Sequence, residues 1–207
     1  MAPLRAYRLP ADSTSAIDES QSVSVEQLGA VGWKITPVAG GQDEVEQACE
    51  KMAQESGYPI TQEGCKVPFH LDVEKHAATL DPGVITVESP QKRSLTRADF
   101  SWLTYCRKLR NHISLANEAF IIVTGDSVYT IDVEDVTSAS WIRFHLVPGM
   151  ILHVPTGGRY RVAFDEQNRK VTGFGYFKET VSNHGLLVKD EIDTHPARHA
   201  YLSTRQT

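Results

Sequence analysis

Three side chains able to move protons or hold a ligand fall close together at His112, Ser114 and Glu118, and a fourth, Tyr160, follows further along. An imidazole and a carboxylate in an apolar cavity make a general acid/base pair. Burial drives the carboxyl pKa upward and the neighbouring imidazole is tuned by it. Hydroxyls beside such a pair, here Ser114 and Tyr160, can donate to an oxyanion that develops as a proton leaves carbon. The plainer reading of the same residues is a hydrogen-bonded His–Glu pair kept for packing, with Tyr160 filling the core.

The elements that must position these groups are strands. From about Ala119 the apolar pattern changes from a period of 3.6 to a period of 2. Short β segments are expected at Phe120–Val123, Val128–Val133, Trp141–Val147, Met150–Val154, Tyr160–Phe164 and Val171–Phe177, separated by Gly, Pro or acidic turns. Alternate strand residues share a face, so Glu118, Phe120 and Ile122 belong to one set and Tyr160, Val162 and Phe164 to another. Both sets are expected to point into a barrel, where Phe120, Ile122, Val162, Phe164 and His153 would line a substrate cavity. His145 and His153 could supply replacement metal ligands, although a lone strand histidine is more often simply hydrogen-bonded. Arg143 and Arg161 read as surface or rim charges, and His184, His195 and His199 as solvent-exposed.

Upstream, Leu4–Leu9 and Trp33–Val38 alternate as strands should. Ser24 with Gln27 forms a capping box, and Val45, Ala48, Cys49, Met52 and Ala53 mark one face of a helix from Asp43 to Ser56. A strand at Gly83–Val87, a second helix over Ala98–Leu109 and a last helical turn starting at Pro196 complete the reading.

Two glycine-anchored β-rich blocks, Glu118-Ala-Phe-Ile-Ile-Val-Thr-Gly125 and Gly149-Met-Ile-Leu-His-Val-Pro-Thr-Gly157, resemble the two halves of a cupin site. With Trp141-Ile-Arg-Phe144, Val25-Glu-Gln-Leu-Gly-Ala-Val-Gly-Trp-Lys34, Ser56-Gly-Tyr58 and His195-Pro-Ala-Arg-His-Ala-Tyr-Leu202, the chain is similar to the acireductone dioxygenase family over most of its length. That resemblance implies a double-stranded β-helix and an Fe(II) or Ni(II) site built from an HxH pair, a glutamate and a third histidine. The matching positions hold His112, Ser114, Glu118 and Tyr160, so two imidazoles are replaced. A serine hydroxyl is a poor ligand for such metals, and tyrosine would have to bind as a phenolate. The family's arginine two residues after the glutamate is Phe120 here. The resemblance therefore implies a divergent member with a degraded metal site and a more apolar cavity.

The totals bound the rest. At 207 residues, 41% apolar and 23% charged, the chain has the composition of a globular protein that reads as soluble. A net charge of −5 offers no field to attract a phosphate backbone, so nucleic acid is not an expected partner. No apolar run approaches the ~18 residues of a membrane span, and Met1–Arg8 has no apolar core of a signal peptide. Cys49, Cys65 and Cys106 lack metal-site spacing, which suits free thiols in a reducing cytoplasm.

The expected protein is thus mainly β (α+β), a cupin barrel in a single domain over 1–207. Residues 1–110 pack strands and helices on the barrel, 111–180 form its core and 181–207 its tail. The preferred function is metal-independent isomerase, cyclase or lyase chemistry on an enolisable, largely apolar small molecule. Glu118 and His112 would serve as base and acid, with Tyr160 and Ser114 as donors; no cofactor is favoured. The alternatives are an Fe(II)- or Ni(II)-dependent dioxygenase using His112, Glu118 and Tyr160 with His153 or water, and a non-catalytic ligand-binding cupin. The oligomeric state stays open.

Overall fold

The period-two patterning folds into two antiparallel sheets laid face to face. The computed structural model describes residues 4–9, 20–62, 65–72, 113–163, 170–178, 186–188 and 190–205. One sheet has six strands in the order β1 (Arg5–Arg8), β7 (Ser140–Leu146), β6 (Tyr129–Asp135), β9 (Tyr160–Ala163), β4 (Ile113–Leu115) and β11 (Leu186–Val188). The other has five, in the order β2 (Lys34–Pro37), β8 (Met150–Val154), β5 (Ala119–Val123), β10 (Lys170–Phe177) and β3 (Lys66–Asp72). The helices are α1 (Val25–Ala30), α2 (Gln42–Glu55), α3 (Asp190–Thr194) and α4 (Pro196–Ser203). Strands from the N-terminal part and from the tail are hydrogen-bonded into the sheets. β1, β2 and β3 from the N-terminal part each lie at an edge of a sheet.

Strict alternation decides what each strand buries. Ala119, Ile121 and Val123 on β5 meet Tyr129, Ile131 and Val133 on β6 and Ile142, Phe144 and Leu146 on β7 in a core between the sheets, together with Trp33, Leu152, Val154 and Tyr160. Each fully buried large apolar side chain there contributes about 1.5–3 kcal/mol, so this layer holds most of the stability. The opposite residues of the five-stranded sheet, Phe120, Ile122, Ile151 and Tyr176, form a second cluster with Val45, Cys49 and Ala53 of α2. Lys66 locks that helix in place through ion pairs to Glu46 (3.0 Å) and Glu50 (2.8 Å).

The local signals behave as their chemistry requires. Ser24 and Gln27 form the reciprocal capping box of α1, with hydrogen bonds of 3.2 and 2.8 Å. His195 caps α4, whose first residue is Pro196. Gly157 has φ +73, and a β-carbon there would collide with the Ala197 carbonyl, so only glycine lets α4 lie against this turn. The expected strand at Gly83–Val87 and helix at Ala98–Leu109 lie outside the described residues.

Candidate functional site

A polar cluster sits at one end of the outer face of the five-stranded sheet, where α2 stops covering it. Cross-strand pairing sets Lys34, His153, Phe120, Tyr176 and Lys66 in one row across all five strands. Ala119 pairs with Phe177, so the next residues outward, Glu118 and Lys178, stand side by side at the strand ends. The Glu118 carboxylate accepts hydrogen bonds from His153 Nε2 at 3.0 Å and from Lys178 Nζ at 3.3 Å. Tyr58 follows α2 and lays its ring on Phe120, with centroids 5.4 Å apart, beneath the Lys178 ammonium at 5.8 Å. Phe120 touches the His153 imidazole from the other direction, at 5.1 Å.

Burial and hydrogen bonding act in opposite senses on Glu118, while burial and charge act together on Tyr58. Burial pulls the Glu118 carboxyl upward, but hydrogen bonds from His153 and Lys178 and the charges behind them outweigh it and hold the group below its ordinary value. An ionised carboxylate only accepts, so His153 Nε2 carries the proton and, in the neutral ring, Nδ1 keeps the lone pair. Nδ1 is buried and has no hydrogen-bond partner within the protein. Burial first, and the Glu118 charge second, raise the Tyr58 phenol well above its ordinary value, so it stays protonated. Its hydroxyl is also buried and unpartnered, in a residue only 4% exposed. A carboxylate that fixes an imidazole tautomer and leaves the far nitrogen free is the arrangement of an oriented base.

The expected site residues are redistributed. Glu118, Phe120 and Ile122 do share a face, but not the inner face assigned to them. Phe120 and Ile122 pack in the layer beneath α2, because Ala119, Ile121 and Val123 take the inward positions. Tyr160 does point inward, 1% exposed and edge-on to Trp33 at 5.4 Å, with Val162 packed on the same core. Its ring packs among the buried apolar residues between the sheets. Ser114 is fully buried but alternates with the inward-facing Leu115, so it lies on the other side of the six-stranded sheet from Tyr160. His112 and Phe164 lie outside the described residues. Ser114, Glu118 and Tyr160 therefore do not converge, and they do not fit a common metal ion.

His153, read earlier as a substrate contact, stands beside Glu118, while Tyr58 and Lys178 were missed as site residues. The signal for Lys178 was the spacing of β10 opposite β5. Tyr58 could be read only as the end of Ser56-Gly57-Tyr58. Among the described residues, His145 binds Thr130 at 3.0 Å and Tyr7 at 3.4 Å, and His199 Nε2 meets the Asp193 carbonyl at 2.9 Å, while His184 lies outside them. Arg143 and Arg161, expected as rim charges, clamp the buried Asp132 on the outer face of the six-stranded sheet, with contacts of 2.5–2.9 Å. Arg161 also stacks on Trp141 at 4.9 Å.

Cys49 and Cys65 are buried free thiols, and burial pushes Cys49 up to about 12, which makes it inert. Among the described residues, no helix is long and apolar enough to cross a membrane.

No protein-family model matches the chain, and no curated protein matches it in sequence. Among solved structures it is similar to an acireductone dioxygenase from Bacillus anthracis with a cadmium ion in its active center. The TM-score is 0.54 at 10% identity, covering 87% of this chain and 95% of that one. At that identity the likeness speaks for architecture alone. With two antiparallel sheets and few helices, the chain has a cupin-like β-barrel fold.

Proposed function

We propose that the chain is a cupin-fold enzyme performing acid/base chemistry on a small enolisable carbonyl compound, with Glu118, His153, Lys178 and Tyr58 as its working groups. The observation carrying this reading is the Glu118–His153 hydrogen bond, which leaves Nδ1 buried without a partner; the Tyr58 hydroxyl, whose ring packs on the same Phe120, is equally unpartnered. Buried unsatisfied polar atoms are uncommon, and a ligand that engages them is one physical reason for keeping them.

In the proposed step, His153 Nδ1 removes a proton from the carbon next to the substrate carbonyl. The C–H electron pair forms the new C=C bond and the carbonyl π pair moves onto oxygen. Glu118 stabilises the imidazolium, while Tyr58 and Lys178 hold the enolate oxygen. Returning the proton to another carbon gives isomerisation; expelling a β-substituent, which leaves with its bonding pair, gives elimination. His153 thus takes the part of base expected of Glu118, and Tyr58 the donor's part expected of Tyr160. No step is routed through a metal. The two free thiols support a reducing, cytoplasmic setting for this chemistry.

The test is α-proton exchange in D₂O, followed by NMR over a set of enolisable ketones and 2-oxo acids. The native protein should accelerate exchange in at least one. Glu118→Gln and His153→Phe should each lower that rate by about 10²–10⁴-fold, the usual contribution of a positioned acid/base. Native rates in both variants refute the assignment.

The second reading is metal-dependent dioxygenation, and the likeness to a cadmium-loaded acireductone dioxygenase favours it. Stoichiometric iron or nickel in protein purified without added metal would support it. Specific ligand binding with no exchange and no metal would point to a binding protein.

A further inference from the structure

We propose that α2, together with Tyr58 at its end, is a hinged lid over His153 that opens as a unit while the two sheets stay folded. The lid rests on the acid/base reading above for its purpose. His153 Nδ1 is buried and Tyr58 is 4% exposed, so a substrate reaches neither while this cover is down. The Tyr58 N–H donates to the Ala53 carbonyl at 2.9 Å, so Tyr58 moves with the helix. Its ring lies on Phe120, the cross-strand partner of His153, and lifting it uncovers the surroundings of that imidazole.

Four features make this segment separable. The chain enters α2 through Gly40-Gly41, and Gly40 holds φ +120, a conformation open to glycine; such element ends absorb the dihedral change of a hinge. The buried residues of α2 are Val45, Cys49 and Ala53, all smaller than leucine. Lifting them exposes far less apolar surface than parting the sheets, whose shared core holds Trp33, Phe144, Leu146 and Tyr160. The ion pairs of Lys66 to Glu46 and Glu50 join side chains that are 24–39% exposed, which makes the latch weak. The Tyr58 hydroxyl, unpartnered under the closed lid, regains water when the lid opens.

Native-state thiol labelling of the full chain tests the lid. Cys49 lies fully buried on the covered face of α2, and its thiol is unreactive while the lid is closed. The probe is N-ethylmaleimide in a urea series, with peptide mass spectrometry separating Cys49 from Cys65 and Cys106. Cys49 should label through an opening whose urea slope is well below that of global unfolding. Lys66→Met keeps the aliphatic stem and removes the latch. It should speed Cys49 labelling by about three- to tenfold beyond any change in the global unfolding constant. Cys49 labelling only at the rate and slope of global unfolding, or a Lys66→Met effect no larger than the change in global stability, overturns the lid. α-Proton exchange is measured separately on unlabelled protein. A sub-global opening without exchange upholds the lid and refutes the acid/base reading. Exchange with Cys49 labelling only through global unfolding refutes the lid alone.

Discussion

Replacing Tyr58 by phenylalanine should make the protein more stable and the site less competent. The hydroxyl is buried and finds no partner within the protein, while the ring packs on Phe120 and under Lys178. An unsatisfied buried polar group costs about 1–3 kcal/mol, and the phenylalanine ring keeps the packing. The expected gain is about 1 kcal/mol, after a small loss from the void where the oxygen was. For a chain of this length that corresponds to a rise in Tm of about 2–4 °C. Urea unfolding should show a higher midpoint with an unchanged slope, and α-proton exchange should slow in parallel.

Tyr201→Phe is the internal control. Its hydroxyl donates to the Val31 carbonyl at 2.6 Å, also in the interior, so the same substitution should cost about 1–2 kcal/mol by orphaning that carbonyl. If Tyr58→Phe destabilises as Tyr201→Phe does, the Tyr58 hydroxyl has a partner and the site loses one of its supports.

Three further outcomes are expected. Asp135 accepts from Thr137, Arg8 and Ser138, and these bonds outweigh its burial and lower its pKa from 3.8 to about 2. Because the folded value is depressed, the resulting stability, about 2 kcal/mol, is fully present above the unfolded pKa and disappears as pH falls through about 2. Asp135→Asn should therefore differ from the native chain near neutrality, with the gap closing in acid denaturation curves; a pH-independent gap contradicts this. Asp132→Ala leaves Arg143 and Arg161 facing each other without their shared carboxylate and should cost about 3 kcal/mol or more in urea unfolding. Finally, Ser114→His/Tyr160→His restores imidazoles at the family's ligand positions but should not create a stoichiometric nickel site by calorimetry, since those two positions lie on opposite faces of their sheet.

Much of the architecture was legible in the residues. Period-two runs located six strands to within a residue or two, the 3.6-residue stripe located α2, and Ser24–Gln27 and Pro196 marked two helix starts. These are local signals, set by backbone geometry and nearest neighbours along the chain. The strand β3 escaped notice because Lys66–Asp72 contains a proline and its partners on β10 are distant in sequence.

What sequence alone left undetermined at the site was the sign of one choice. Alternation groups Glu118 with Phe120 and Ile122 and sets them apart from Ala119 and Ile121, but it does not say which set faces the other sheet. Both sets are apolar enough to be buried, because this sheet is covered on both sides, by the second sheet and by α2. The tertiary structure places Ala119, Ile121 and Val123 inside and Phe120 and Ile122 under the helix. That outcome separated Glu118 from Tyr160 and brought it to His153, Lys178 and Tyr58. The residues that could do chemistry were visible in the chain; which of them could meet was decided by how two sheets and one helix share a single strand.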